Sequence, residues 1–328
     1  MNRTICALAA GLALLASPLR AQDAVPQLDA GAEPVEEIEI VGERPGPQLW
    51  KITSGEHTLW LLGILQPLPK RMQWKSAAVE QVLDESQEVI AMGGAIGMRV
   101  GLISGIRLYR QWRGIQVNPN GATLAQVLPA PLYARFDALR LRYAKRAGNL
   151  DELRPIFAAG RLFDGAVDRI GLTTDNDVHA RVIKLAKKRD LPIRQVKLVL
   201  DDPARTLAAL GEIPEAEQIA CLETTVTRLE SDVGALRDRA RAWADGDVDA
   251  FRAVPFADQS ASCWAALGSS AEIKPLMERA RSEWLGYVDA ALRTSRVALA
   301  MDSLDRVLAA DGTLAALRAK GYAVRGPE

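Results

Sequence analysis

The chain has 328 residues, 48% of them apolar and 25% charged, with 41 basic and 41 acidic side chains. This length can bury one large core or two modest ones, and the composition is that of a folded soluble protein, not a disordered, collagenous or multi-span membrane chain. A formal net charge of zero gives the molecule as a whole no electrostatic reason to bind nucleic acid or an anionic surface.

The N-terminus reads as a signal peptide. Met1-Asn2-Arg3 is a charged n-region, Ile5 to Ala16 an apolar h-region, and Ser17-Pro18-Leu19-Arg20-Ala21 a small-residue cleavage site. The apolar run is too short to span a bilayer. Residues 1–21 are therefore expected to be removed, leaving a periplasmic or secreted protein without a stable membrane span; an uncleaved anchor is the alternative. No cysteine follows the h-region at a lipobox position. Loss of Arg3 and Arg20 leaves 39 basic against 41 acidic side chains, a net charge of −2. Cys6 leaves with the signal, so Cys221 and Cys263 remain, and in an oxidising compartment a disulfide is the simplest fate of such a pair. It would close a loop of about 43 residues, a stabilisation of about 4 kcal/mol on the chain-entropy model. Two buried free thiols are the alternative.

Residues 22–47 hold four prolines and the acids Glu33, Glu36, Glu37 and Glu39, with little apolar pattern beyond Ile38, Ile40 and Val41, and read as a flexible lead-in. Leu49 to Thr53 and Thr58 to Leu65 flank Ser54-Gly55-Glu56 as a β-hairpin, its second strand apolar on both faces as a covered strand should be. Ala78, Val79, Val82 and Leu83 fall at helical spacing within Ser76 to Ser86, and Glu88 to Met92 reads as a strand. Together these predict a β-α-β unit. Gly93 to Val117, rich in glycine and apolar residues, suits a buried or a membrane-touching helix, but Arg99, Arg107, Arg110 and Arg113 interrupt it, so it reads as a helix whose arginines face water.

A helical series follows, broken near Pro129, Gly148-Asn149 and Gly171-Leu172. An amphipathic helix spans Asp175 to Arg189, and Ile193 to Leu200 is the strand after it. Ala204 to Ala253 is helical and carries Cys221; Cys263 sits on a loop or short helix; Glu272 to Leu292 is another helix. A strand at Val297 to Met301, a helix after Gly312 and a short strand at Tyr322 to Arg325 close the chain. Strands at both ends around a helical middle predict an α/β fold: a central mixed sheet, surrounding helices and a long helical insertion, in one domain over residues 48–326.

Local motifs do not assemble a familiar site. His57 and His179 are the only histidines, and neither belongs to an H-E-x-x-H or C-x-x-C arrangement. The glycines of Gly93 to Gly105 match no phosphate loop, and G-x-S-x-G is absent. The cluster Arg140, Arg142, Lys145, Arg146 at helical spacing is a solvated helix face.

Leu49-Trp50-Lys51-Ile52 through Leu62-Gly63-Ile64-Leu65-Gln66, with Ser86 to Met92, resembles the opening of TraB/GumN proteins, relatives of the Tiki metalloproteases. Gly121-Ala122-Thr123-Leu124, Leu153-Arg154-Pro155, Gly171-Leu172, Asp311-Gly312-Thr313-Leu314 and Lys320-Gly321-Tyr322 continue the resemblance in order. It implies a divalent-metal hydrolytic site built from two G-x-x-H motifs and acids at strand ends. Carried over residue by residue, the first histidine falls on Gln66 and the second on Arg306, of Ser303-Leu304-Asp305-Arg306. The two acidic positions fall on Met92 and Lys197.

None of these four ligates a hard or borderline divalent cation well, and Lys and Arg would repel it. The expectation is a pseudoenzyme without metal or other cofactor, acting as a binding or interaction protein. If the fold is kept, Lys197 and Arg306 converge with Gln66 at the carboxyl ends of central strands, as a pocket for a small carboxylate or phosphate. Alternatively they pair with Asp302, Asp305 or other local acids and fill a vacated cleft; the partner is left open between a small anionic ligand and a protein. The competing enzyme reading is a metal-dependent hydrolase or peptidase with other ligands, such as Asp302, Asp305 and His57.

Overall fold

The computed structural model of the protein describes residues 46–326, apart from 71, 73, 98–101, 146–147, 176, 232 and 255–258. The expected signal peptide, the lead-in as far as residue 45, and Arg99 lie outside the described residues.

The opening hairpin forms as its sequence indicates. Strands β1 (Leu49–Ser54) and β2 (His57–Ile64) pair antiparallel from Leu49↔Leu62 to Ser54↔His57. Gly55, the first of the two connecting residues, has φ +59°, an angle that glycine adopts without the clash a Cβ would create. A short β3 (Leu68–Pro69) and helix α1 (Ala77–Glu85) lead to β4 (Val89–Gly97).

β4 does not end at Met92, contrary to the sequence reading. Gly93 takes φ +72° and the register against the neighbouring strand shifts between Ile90 and Gly94, a bulge after which the strand resumes to Gly97. The glycines that suggested a helix start therefore belong to a bulged strand, and the helix begins later, as α2 (Leu102–Gln116). Arg107, Arg110 and Arg113 of α2 face water as expected.

Helices α3 (Leu124–Val127), α4 (Ala130–Tyr143) and α5 (Pro155–Arg169) complete a first helical stretch. Then β5 (Leu172–Thr173), paired with β3, α6 (Asp177–Lys188) and β6 (Ile193–Val199) return the chain to the sheet. A second helical stretch runs through α7 (Pro203–Gly211), α8 (Glu215–Ser231), α9 (Val233–Asp245), α10 (Val248–Ala253), α11 (Gln259–Gly268) and α12 (Ile273–Thr294). The chain closes with β7 (Val297–Ser303), α13 (Leu304–Leu308), α14 (Thr313–Ala319) and β8 (Ala323–Arg325).

The main sheet has the order β6-β4-β7-β2-β1-β8. β6, β4, β7 and β2 run parallel, while β1 is antiparallel to both β2 and β8, so the sheet is mixed. β2 and β4 are parallel but not neighbours: β7, more than 200 residues later in the chain, lies between them. That placement explains the composition of β7, where Ala298 to Asp302 are all buried. A strand covered on both faces has no solvent side on which to alternate polar residues.

Two large apolar clusters result, with a small third one of Val167, Leu172 and Leu236. The larger joins Ile52, Leu59, Leu61, Leu62, Ile90 and Met301 of the sheet to the packing faces of α1 and α12. The second lies among helices, with Phe136, Leu139, Leu162, Leu222 and Val226 from α4, α5 and α8. The helical part is thus two chain stretches meeting in one cluster, with the β5-α6-β6 segment between them in sequence. A Cys221–Cys263 disulfide ties α8 to α11 beside it, with Cα atoms 4.6 Å apart.

Candidate functional site

The parallel strands β6, β4, β7 and β2 end at one edge, where open α/β sheets place their ligands. Lys197 lies in β6, Met92 in β4, Arg306 in α13 directly after β7, and Gln66 two residues past β2. Four adjacent strands, or the residues just after them, thus carry the expected positions, but Met92 lies five residues before the end of β4 and Lys197 pairs further along that strand, at Ala95. Their surroundings differ. Met92 is partly buried and packs on the sheet core. Lys197 is exposed and paired in register with Ala95, with no ion pair among the described residues. Gln66 is exposed and donates from Nε2 to the Thr174 carbonyl at 2.6 Å.

Arg306 is engaged with a carboxylate. Asp302 ends the buried run of β7 with a side chain only 2% exposed, and every donor it needs is supplied. Its Oδ1 accepts from the Ser303 backbone N–H at 2.9 Å and from Arg306 Nη1 at 3.0 Å. Its Oδ2 accepts from the Thr313 hydroxyl at 2.5 Å and lies 3.3 Å from Arg281 Nη1, which also donates to the Thr313 oxygen at 3.0 Å. One buried carboxylate therefore ties α12, α13 and α14 to the end of β7. Burial lowers the pKa of the Arg281 guanidinium; Asp302 opposes that shift and Arg306 adds to it. Next to this cluster Arg239, buried in α9, pairs with Asp305 and lies 3.9 Å from the centroid of the Phe251 ring.

Close packing surrounds these charges. A Cβ on Gly63 would lie 2.7 Å from Leu304 Cδ1 and 3.0 Å from a ring carbon of Trp50. The Gly63 carbonyl, beyond the last β1 pair at Leu62, accepts from Trp243 Nε1 at 2.8 Å. The Ala91 carbonyl, at the β4 bulge, accepts from Trp284 Nε1 at 3.1 Å. Both indoles thus satisfy buried backbone acceptors where the ladder is interrupted. Gly312 is equally constrained, since a Cβ there would lie 2.0 Å from the Arg306 carbonyl oxygen. Beside Gln66 the surface holds a recess of about 180 Å³, with Leu68, Met72 and Trp74 on its walls and Asp175, Asp177 and Arg181 at its margin.

The donors at this edge do not fit a divalent cation. Two guanidiniums and a hydroxyl occupy both oxygens of its buried carboxylate, and a cation entering there would meet Arg281 and Arg306 first. The other ligand set, Asp302, Asp305 and His57, is not brought together. His57 opens β2 and its Nδ1 lies 3.0 Å from the Ser295 carbonyl oxygen. Asp302 pairs in register with Gly63 at the far end of that strand, six residues or about 20 Å away.

Sequence reasoning missed Arg281 and Thr313. The signal for Thr313 was present in Asp311-Gly312-Thr313-Leu314, whose glycine meets the Arg306 turn and whose threonine meets Asp302. Arg281 is one arginine on a long helix, and nothing in its local pattern distinguishes it.

An α/β sheet with four parallel strands ending at an edge held by a buried carboxylate and two arginines defines the class of fold and site. The family model described as TraB/PrgY/gumN matches residues 48–326, and the chain belongs to that family. No curated protein and no solved structure matches it.

Proposed function

We propose that this protein is an exported member of the TraB/PrgY/gumN family that does not catalyse hydrolysis and acts by binding a ligand or partner. One observation carries the reading: Arg306, at a position where the resemblance calls for a metal-ligating histidine, is a guanidinium bonded to the buried Asp302. A cation in that place supplies the charge a metal would otherwise supply, and it cannot activate water. Gln66 supports the same reading, because its amide is used to hold the Thr174 carbonyl.

Metal analysis of the purified protein, with a peptidase assay in added manganese, cobalt and zinc, tests the inactive reading. The expected result is neither stoichiometric metal nor activity that a chelator removes; finding both overturns it. For the ligand, acetate and phosphate are titrated against the thermal transition of the wild type and of Lys197→Ala/Arg306→Ala. A shift confined to the wild type supports a small anionic ligand, and equal shifts or none show that this edge is not an anion site. Export is tested by N-terminal sequencing of the secreted product, which is expected to begin at Gln22.

A further inference from the structure

We propose that α2 is an interfacial helix that seats the protein on an anionic phospholipid surface. Seven large apolar side chains are exposed among the described residues, and four of them fall between positions 106 and 117. Ile106 is 52% exposed, Tyr109 62%, Trp112 38% and Val117 39%. The helix is held from its other side. Gln111 donates to the Ala204 carbonyl of α7 at 2.7 Å, Ile115 packs against Gly211, and the edge of Trp112 meets Phe157 of α5 at 5.7 Å between centroids. Docking on α7 and α5 thus fixes α2 with Ile106 and Tyr109 facing out.

Charge selects the occupant. α2 contains Arg107, Arg110 and Arg113 and no acid, and α7, on which it rests, also lacks acids. All three arginines are exposed and none forms an ion pair among the described residues. Their positions matter as much as their number. Tyr109 follows Ile106 by three residues and Arg113 follows Tyr109 by four, so the three share one stripe, with Arg110 beside Ile106 and Trp112 beside Tyr109.

A protein partner would have to set acids against all three arginines at fixed places, whereas an anionic phosphate layer meets each of them wherever it reaches the surface. A lipid headgroup layer accepts the whole pattern. Tyr and Trp suit the boundary between acyl chains and water, Ile enters it, and arginines reach up to phosphates. The zero net charge of the chain does not oppose this, because a juxtamembrane basic cluster acts within about a Debye length of the surface. The mode is peripheral: no described helix is long and apolar enough to cross a membrane.

The test is hydrogen exchange on the full chain, alone, with phosphatidylcholine vesicles, and with vesicles of equal parts phosphatidylcholine and phosphatidylglycerol. Slowed exchange in peptides from 102–116, only with the anionic vesicles, is the expected result. The readout is local, so it is independent of any lipid contact made by the apolar N-terminal run. In Tyr109→Glu/Arg113→Glu, both at exposed positions, this protection should vanish, and the salt-sensitive part of vesicle binding should weaken by about tenfold or more. Unchanged exchange in the wild type, or protection that survives in the double variant, overturns the proposal. So does a lipid-free wild type that light scattering shows as a dimer and the variant as a monomer, since the stripe would then be covered by a second copy of this chain.

Discussion

The carboxyl edge of the sheet and the helical cluster of α4, α5 and α8 solve the same packing problem by different means. At the sheet edge, order converges on a few polar contacts and tight approaches: Asp302 with Arg281, Arg306 and Thr313, and glycines at 63 and 312 where no Cβ fits. The helical cluster rests mainly on apolar contacts, with small residues such as Ala158, Ala159 and Ala166 letting helices approach and a disulfide tying it, although α8 also buries Gln218, Thr225 and Arg228. The difference is one of tolerance. Apolar contacts are many and individually small, so a cluster of them yields gradually, whereas a buried charge network fails when one member leaves.

Substitutions can break that contrast. Asp302→Ala should be the most damaging, by about 3–5 kcal/mol, because it strands the half-buried Arg281 and leaves Thr313 without its acceptor. Urea titration measures it, and a loss below about 1 kcal/mol would mean the cluster is not a keystone. Cys263→Ser comes next, with about 2–4 kcal/mol lost through freedom returned to the unfolded chain. The wild type under reductant should show the same loss, and identical midpoints with and without reductant would remove the staple from the comparison.

Gly63→Ala should cost about 1–3 kcal/mol by forcing a methyl between Leu304 and Trp50. Its check is a melting temperature set against Gly160→Ala, at a helical glycine with open space around its Cβ position. Arg306→Ala is the smallest change, under about 1 kcal/mol, because its side chain is 47% exposed and Asp302 keeps Arg281, Thr313 and the Ser303 amide. A larger loss would show that Arg306, and not Arg281, is the partner Asp302 depends on.

The sheet was legible where the signal is local. The Gly55 turn, the apolar runs of β2 and β7 and the amphipathic face of α1 each follow from spacing and backbone preference, and the structure has all of them. β4 was cut short because Gly93 and Gly94 read as a terminator, whereas a bulge uses the same residues to continue the strand. The single helical insertion became two stretches because sequence order does not show which helices share a core. At the candidate site, Gln66, Met92, Lys197 and Arg306 were identified by position along the chain; they fall on or just after four adjacent strands, with Met92 inside β4 and not at its end. Pairing Arg306 with a local acid was one of the two fates its sequence context allowed.

The sequence by itself determined the α/β pattern and the family, because periodicity and motif order survive in one dimension. Only the tertiary structure decided which side chains meet at the end of β7. Arg281 lies 21 residues before Asp302 and Thr313 lies 11 after, and they meet because α12, β7 and α14 converge at one strand end. Gln66 finds its partner 108 residues away. The burial that makes Asp302 demand these donors is a property of the assembled sheet, and no local spacing encodes it.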